Sequence, residues 1–160
     1  MPELRLERSG SPTGVMRLLY RSPILLYRAR LGFLFGTRFL MIEHIGRNTC
    51  QNRKTILEVV ANHADAVFVA AGWGSESHWL KNVQANPKVS FHLGSKRYLA
   101  IAEMLGPIDA RSVVEEYAAA HPRAFGRLAA FMLDDPFETS QIQARRVGEI
   151  VPIVRLSKTQ

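Results

Sequence analysis

The sequence predicts an α+β fold that is mainly β, built as an antiparallel barrel of roughly six strands with helical additions. Short runs of β-branched and aromatic residues recur from residue 39 onward, each bounded by turn residues. Hairpin-sized links join several of these runs, which favours antiparallel neighbours. Because the 160 residues contain no internal repeat and no dividing linker, we expect a single domain.

Residues 1–36 are expected to precede the barrel as a polar tail and a basic amphipathic helical segment. Ser22 fits a helix N-cap, and Pro23 fits the first helical position. A stripe of arginines would lie opposite a row of leucines and contains Arg17, Arg21 and Arg28. This segment is either a packing helix with a solvated face or a helix that rests on anionic lipid or covers a cofactor pocket.

The predicted barrel domain occupies residues 37–160. Its strands are expected at residues 39–45, 55–60, 66–71, 88–93, 97–105 and 150–154. Residues 62–65 and 94–96 are short enough to form hairpin turns between neighbouring strands. Pro152 cannot donate a ladder hydrogen bond, so the last strand is expected at an edge or a bulge.

Three helices are expected among these strands. The first begins with Ser75 as its N-cap and ends at Asn86-Pro87. The second covers residues 107–120, and the third follows the break at His121-Pro122 and reaches residue 133.

The positive charge is concentrated near the start of the chain. The net charge is +7, and residues 1–54 contain ten Arg or Lys but only three acidic residues. Phosphates, nucleic acid and an anionic membrane face are the candidate partners. Nucleic acid is disfavoured, because no nucleic-acid motif is present and the arginines of residues 17–30 lie among leucines without aromatic platforms.

Compartment and membrane topology follow from what the sequence lacks. It has one cysteine, no signal peptide and no stretch of about 18 uncharged apolar residues. We therefore expect a cytoplasmic protein that is at most peripheral to the inner face of the cell membrane.

Several common chemistries lack their motifs. The five histidines and the cysteine do not form ligand pairs, so no metal site is predicted. Residues 74–76 do not complete a nucleophile elbow. Gly72-Trp73-Gly74 lacks the third glycine of a dinucleotide fingerprint, and no phosphate-loop Gly-Lys-Ser/Thr occurs.

A cationic loop between the first two strands suits a phosphate. Arginine binds phosphate oxygens through paired N–H donors, and loop amides and hydroxyls can complete an anion site. The candidate residues are Arg47, Asn48, Thr49, Arg53, Lys54 and Thr55. The alternative is an ordinary charged β-turn.

The stretch after the third strand suits a flat ring. Two glycines would let backbone N–H groups approach the pyrimidine-like edge of a flavin, and the next helix carries polar and aromatic groups. The candidate residues are Ala71, Gly72, Trp73, Gly74, Ser75, His78, Trp79 and Asn82. The alternative is a tight turn whose tryptophans fill a core.

Residues 79–87 read Trp-Leu-Lys-Asn-Val-Gln-Ala-Asn-Pro. They resemble the Trp-x-x-Asn-Leu-x-Ala-Asn-Pro motif of the deazaflavin-dependent nitroreductase family, split β-barrel oxidoreductases of actinobacterial type that use coenzyme F420. The resemblance covers most of residues 37–105. It implies an FMN-binding-like split β-barrel, and it implies that the cationic loop binds the phosphate or acidic tail. Residues 71–75 would face the deazaflavin, while Trp79 and Asn82 would fix the pocket.

The chain departs from the family pattern in both stretches. Asn48 stands where lysine is usual and Cys50 where glycine is usual, and Gly72-Trp73 replaces Ser-Lys. These departures leave FMN as an alternative cofactor and leave the substrate open.

The resemblance implies hydride transfer to a quinone, an activated alkene or a nitro compound. The sequence leaves open whether the protein is a monomer or a homodimer. Tyr117 and His121 are candidates for a proton donor or a substrate contact, with a structural role as the alternative. The non-enzymatic alternative is a protein that binds a flavin, a deazaflavin or haem without turnover.

Overall fold

The computed structural model describes residues 36–72, 74–132 and 140–159. Within them six antiparallel strands form a closed barrel in the order β1-β2-β3-β6-β5-β4. The strands are β1 (Phe39–Ile45), β2 (Asn52–Asn62), β3 (Ala66–Ala70), β4 (Lys88–Leu93), β5 (Lys96–Met104) and β6 (Ile153–Thr159). The predicted α+β, mainly β barrel is confirmed.

Four α-helices flank the barrel in the described part of the chain. They are α1 (His78–Ala85), α2 (Pro107–Ala120), α3 (Pro122–Met132) and α4 (Ser140–Ile150), and a 3₁₀ turn covers Gly74–Glu76. The first three correspond to predicted helices. Helix α4 was not predicted, because among its described side chains only Ala144 and Val147 are buried hydrophobic residues.

Alternation along the strands places one row of side chains inside the barrel and the other outside. Leu40 of β1 is opposite Leu57 of β2 and Leu93 of β4, and all three are buried. Two hydrophobic cores result. The barrel interior contains Leu40, Ile42, Leu57, Val59, Val67, Val69, Val89, Phe91, Val154 and Leu156 among others.

The second core lies outside the barrel wall, between the strands and helices α2 to α4. It is formed by Val60, Phe68, Ala110, Val113, Val114, Tyr117, Phe125, Ala144, Val147 and Ile153 among others. The opposite row of β3 faces this core, so β3 is buried on both faces. This explains why residues 66–70 are a continuous apolar run without alternation.

The start of the first helix differs from the prediction. Ser77, not Ser75, is the N-cap of α1, and its side chain makes no capping hydrogen bond to the helix. Its hydroxyl instead donates a 2.9 Å hydrogen bond to the Gly74 carbonyl. Ser75 lies in the preceding 3₁₀ turn, because Gly74 has a positive φ of 70° that redirects the chain.

The last strand also differs from the prediction. Strand β6 begins at Ile153 and pairs with β3 on one side and β5 on the other, so the expected edge position is wrong. Pro152 precedes the strand and therefore removes no ladder hydrogen bond. Its carbonyl accepts a 2.9 Å hydrogen bond from the Ala71 N–H.

Several predictions lie outside the described residues. These are the tail and basic segment up to residue 35, Trp73, and the end of the third helix at residue 133. The domain boundary between residues 36 and 37 stays a prediction. In the described residues, no helix has the length and apolar character that crossing a membrane requires.

Candidate cofactor-binding site

Both stretches singled out in the sequence lie at one end of the barrel. Strand β1 ends at Ile45 and β3 ends at Ala70, while β2 begins at Asn52, so the β1–β2 loop (residues 46–51) and the turn of residues 71–75 share that end. Helix α1 closes the same end, because its Trp79, Leu80 and Val83 are buried in the barrel core.

The β1–β2 loop is compact. The Gly46 N–H donates to the Gln51 carbonyl and the Cys50 N–H donates to the Gly46 carbonyl, each at 2.8 Å. Cys50 adopts a left-handed φ of 52°, at the position where glycine is usual in the family. A Cβ at Gly46 would lie 2.7 Å from Thr49 Oγ1, so a side chain at this position would displace the Thr49 hydroxyl.

Arg47 joins the loop to helix α1. Its backbone N–H and its Nη1 both donate to Asn82 Oδ1, at 3.1 and 3.0 Å. Nη1 also lies 3.5 Å from the His78 carbonyl oxygen. One amide oxygen thus fixes the backbone and the guanidinium of Arg47 together.

Asn82 is held in turn by a buried histidine. Asn82 Nδ2 lies 3.2 Å from His44 Nδ1, and His44 Nε2 lies 3.2 Å from Thr55 Oγ1. Burial, and to a smaller extent the charge of Arg53, lowers the pKa of His44 from 6.5 to about 4. The imidazole is therefore neutral at physiological pH. His44 was not among the candidate residues from the sequence. The available signal was its position two residues after Ile42, which places both side chains on the inner face of β1.

Donors suited to an anion remain at the loop. Arg53 is directly opposite His44 in the β1–β2 ladder, and its side chain is exposed. Among the described residues, the Arg53 guanidinium and the Asn48 and Thr49 N–H groups have no hydrogen-bond partner. A guanidinium and two loop amides fit a phosphate or a carboxylate.

Lys54 lies elsewhere. Its Nζ is 2.7 Å from Glu43 Oε1 on the outer wall of the barrel. The same carboxylate accepts a 3.0 Å hydrogen bond from Ser90 Oγ, and Arg97 and His92 approach it at 3.6 and 3.8 Å. Burial raises the pKa of Glu43, but the hydrogen bonds from Lys54 and Ser90 outweigh it and the net pKa is lowered. The structure therefore does not group Lys54 with Arg53.

The turn after β3 is tight, as the glycines predicted. The Gly74 N–H donates a 2.8 Å hydrogen bond to the Ala71 carbonyl, and Gly74 adopts the left-handed conformation. Ala71 is fully buried and Ser75 is exposed, while Gly72 is half-buried. The turn thus places polar backbone and the Ser75 side chain at the rim of the barrel.

The residues of α1 divide between packing and the rim. Trp79 is only 7% exposed and fills the barrel core, as the alternative for the tryptophans proposed. His78 is exposed at the first helical position. Asn82 is buried and its amide is hydrogen-bonded to Arg47 and His44, so it holds Arg47 in place from the barrel side of the loop.

Tyr117 and His121 are not part of this arrangement. The Tyr117 hydroxyl donates a 2.7 Å hydrogen bond to Glu58 Oε1, and Arg38 Nη2 lies 3.7 Å from the same oxygen. Glu58 is on the outer row of β2, whereas Thr55 is on the inner row. Tyr117 belongs to the outer core, and His121 is its exposed neighbour with ring centroids 5.5 Å apart. The structure therefore separates both residues from the barrel end.

Metal ligation has no candidate in the described part of the chain. Within it, no group of three or more His, Cys, Asp or Glu side chains is arranged to hold an ion. His44, the buried histidine closest to the loop, is already bonded at both ring nitrogens.

A closed antiparallel barrel of six strands with flanking helices is the fold of the split β-barrel class. The family described as F420H(2)-dependent quinone reductase matches residues 20–123. Because this match covers more than half of the chain, the protein belongs to that family. The resemblance to deazaflavin-dependent reductases is confirmed. The family description names quinone reduction rather than nitro reduction, and it gives the FMN alternative no support.

Solved structures show the same fold at low sequence identity. An F420-H2-dependent reductase, FDR-A, has a TM-score of 0.51 at 17% identity, with 75% of this chain and 94% of that chain covered. A protein solved as a domain-swapped dimer has a TM-score of 0.53 at 16% identity, covering 84% and 96%. The haem storage protein HutZ from Vibrio cholerae has a TM-score of 0.51 at 12% identity, covering 84% and 91%. No curated protein matches the chain.

Proposed function

We propose that this protein is an F420H2-dependent oxidoreductase that reduces a quinone, with activated alkenes and nitro compounds as further acceptor classes. One observation carries the proposal: the two hydrogen bonds from Arg47 to Asn82 Oδ1 fix the cationic loop at the barrel end that also holds the 71–75 turn. Membership of the F420H2-dependent quinone reductase family supports the choice of coenzyme.

The residues at the barrel end take different roles in this proposal. Arg53 and the Asn48 and Thr49 N–H groups bind the phosphate or acidic tail, because they carry donors without partners in the described residues. The turn of residues 71–75 faces the ring, where backbone can approach closely. Arg47 contributes its remaining guanidinium donors. Asn82 and Thr55 act on the loop indirectly, and Trp79 packs beneath it.

The coenzyme supplies the hydride, and the chain supplies binding and orientation. We assign no proton donor among the described residues of the site, because Tyr117 is bonded to Glu58 on the outer wall. Burial and the Glu58 hydrogen bond raise the pKa of Tyr117, which keeps its proton on the phenol.

A fluorescence titration of the purified protein with coenzyme F420, and in parallel with FMN and FAD, tests the proposal. We expect saturable binding of the deazaflavin and no binding of the flavins. Oxidation of the bound reduced coenzyme by menadione, followed by absorbance, then tests the acceptor class. Tighter binding of FMN than of F420 would contradict the cofactor assignment.

The non-catalytic alternative is tested in the same preparation. A protein that stores or exchanges a ring cofactor would bind F420 or hemin yet leave the reduced coenzyme unoxidised when menadione, an activated enone and a nitroaromatic compound are supplied. Turnover with any of the three would exclude this alternative.

We also propose that the protein is cytoplasmic and associates peripherally with an anionic membrane. The support is the sequence of residues 14–31, where a continuous helix would place Arg17, Arg21 and Arg28 in one stripe opposite leucines. Sedimentation with phosphatidylglycerol vesicles at low salt tests this, with phosphatidylcholine vesicles as the control. Equal recovery with the two vesicle types would contradict it. Analytical ultracentrifugation distinguishes the monomer from the homodimer.

A further inference from the structure

His44 is the link between the barrel interior and the cationic loop. It is only 3% exposed, and it lies between Asn82 Nδ2 and Thr55 Oγ1 at 3.2 Å each. The chain of contacts runs from β2 through β1 to α1 and ends at Arg47. His44 thereby connects Thr55, 11 residues away in the sequence, with Asn82, 38 residues away.

Only one protonation state of His44 satisfies this network. Asn82 Oδ1 accepts two hydrogen bonds from Arg47, so the amide must present its NH₂ group to His44. His44 Nδ1 must then accept, and the ring proton of the neutral imidazole must be on Nε2, where it donates to Thr55 Oγ1. If His44 were protonated on Nδ1, its N–H and the Asn82 NH₂ group would both be donors, and no hydrogen bond could form between them.

We propose that His44 is a positioning residue for the anion-binding loop: its Nε2-protonated imidazole orients the Asn82 amide, and that amide fixes the backbone N–H and the guanidinium of Arg47. This inference rests on the proposed function of the loop. His44 itself is buried beneath the loop and acts on the coenzyme only through Asn82 and Arg47.

The electrostatic surroundings favour the same state. Arg53 faces His44 from β2, so a cation opposes a positive charge on the ring. Glu43 and Lys54 point to the outer wall. Within the described residues no carboxylate contacts His44, and burial holds its pKa at about 4.

A set of matched variants separates positioning from simple packing. In His44→Asn, the amide oxygen can accept from Asn82 close to the place of Nδ1, whereas His44→Leu removes the acceptor. We expect His44→Leu to raise the Kd for coenzyme F420 about tenfold, which corresponds to the loss of one hydrogen bond. We expect His44→Asn to stay within about threefold of the parent. His92→Leu, on the outer wall, is the control and should bind as the parent does.

Binding is compared well below the melting temperature of each variant, so a loss of stability alone does not change the Kd. Parental affinity in His44→Leu would overturn the proposal, and so would equal losses in His44→Leu and His44→Asn. A Kd that rises in His44→Leu and returns in His44→Asn would support it.

Nitrogen NMR of the His44 ring gives a readout that does not depend on the coenzyme. We expect an Nε2-protonated neutral ring in the parent. In Asn82→Asp, whose carboxylate cannot donate to Nδ1, we expect the pKa of His44 to rise. If F420 fails to bind the parent, the proposed function is wrong. The NMR measurement then still tests the hydrogen-bond network, because a proton on Nε2 supports it and a proton on Nδ1 overturns it.

Discussion

Lys54 Nζ lies 2.7 Å from Glu43 Oε1 on the outer wall of the barrel, although Lys54 directly follows Arg53 in the same strand. Successive side chains of a strand point to opposite faces. Arg53 is therefore on the inner row with His44, at the barrel end where the cationic loop lies. Arg53 and Lys54 look like one phosphate-binding pair in the sequence, but Arg53 lies at the barrel end and Lys54 lies on the outer wall.

Substituting these two neighbours should separate their roles. Arg53→Met removes a cation that has no partner among the described residues, and we expect the Kd for coenzyme F420 to rise at least about tenfold, as for loss of one charge-assisted hydrogen bond. Lys54→Met should change that Kd by no more than about twofold, since its charge is used on Glu43. The same fluorescence titration measures both. Equal losses in the two variants would show that Lys54 reaches the coenzyme.

Tyr117→Phe should affect stability rather than coenzyme binding. The variant loses the 2.7 Å hydrogen bond to Glu58, whose carboxylate is half-buried, and we expect unfolding to become easier by about 2 kcal/mol. Urea unfolding measures the change. The Kd for F420 and the menadione rate should stay at parental values.

Tyr98→Phe is the matched control for this prediction. Tyr98 stacks on Phe91 at 5.2 Å and lies under Lys158, and no hydrogen bond of its hydroxyl occurs among the described residues. Removing this hydroxyl should lower the free energy of unfolding by less than about 0.5 kcal/mol. A large fall in turnover of Tyr117→Phe with unchanged stability would instead restore Tyr117 as a proton donor.

Acid should weaken the fold partly through His44. Because the folded-state pKa is lowered from 6.5 to about 4, the unfolded chain binds a proton in that range before the folded chain does. The contribution is fully present above pH 6.5 and is lost as the pH falls toward 4. Its full size is about 3 kcal/mol.

Urea unfolding of the parent and His44→Asn at pH 7.5 and pH 4.5 measures this contribution. Taking the difference between the two proteins at each pH removes the titration of the carboxylates. We expect the stability advantage of the parent to shrink by most of that amount at the lower pH. An advantage independent of pH would mean that His44 takes up a proton between pH 7.5 and pH 4.5 as readily in the folded protein as in the unfolded chain.

Close packing of α4 on α2 should make Gly148 intolerant of a side chain. A Cβ there would lie 2.6 Å from Arg111 Cα, so Gly148→Ala must push the helices apart, at a cost of about 1 to 3 kcal/mol. Gly126→Ala in α3 is the control, because no atom of the described residues lies within 4 Å of its Cβ position. Alanine favours helix over glycine, so that variant should be neutral or more stable. Thermal unfolding of both proteins distinguishes the two outcomes, and similar melting temperatures would contradict the packing argument.

Local patterns in the sequence were sufficient for most of the barrel. β-Branched runs and hairpin-sized links predicted five strands to within a few residues, and Asn86-Pro87 predicted the end of α1. The expected position of β6 at an edge or a bulge was wrong because the sequence does not show whether Pro152 lies inside the strand or just before it. Helix α4 was missed because its described buried surface is small.

Residues close together in the chain were enough to predict the alternating strands, the glycine turn, the cationic loop and the motif of residues 79–87. Tertiary contacts were needed to show that Asn82 and His44 hold Arg47, that Lys54 pairs with Glu43, and that Tyr117 lies outside the barrel wall. Those partners are distant in sequence. They meet because the closure and register of the barrel set which face each side chain occupies, and a shift of one residue would reverse every face.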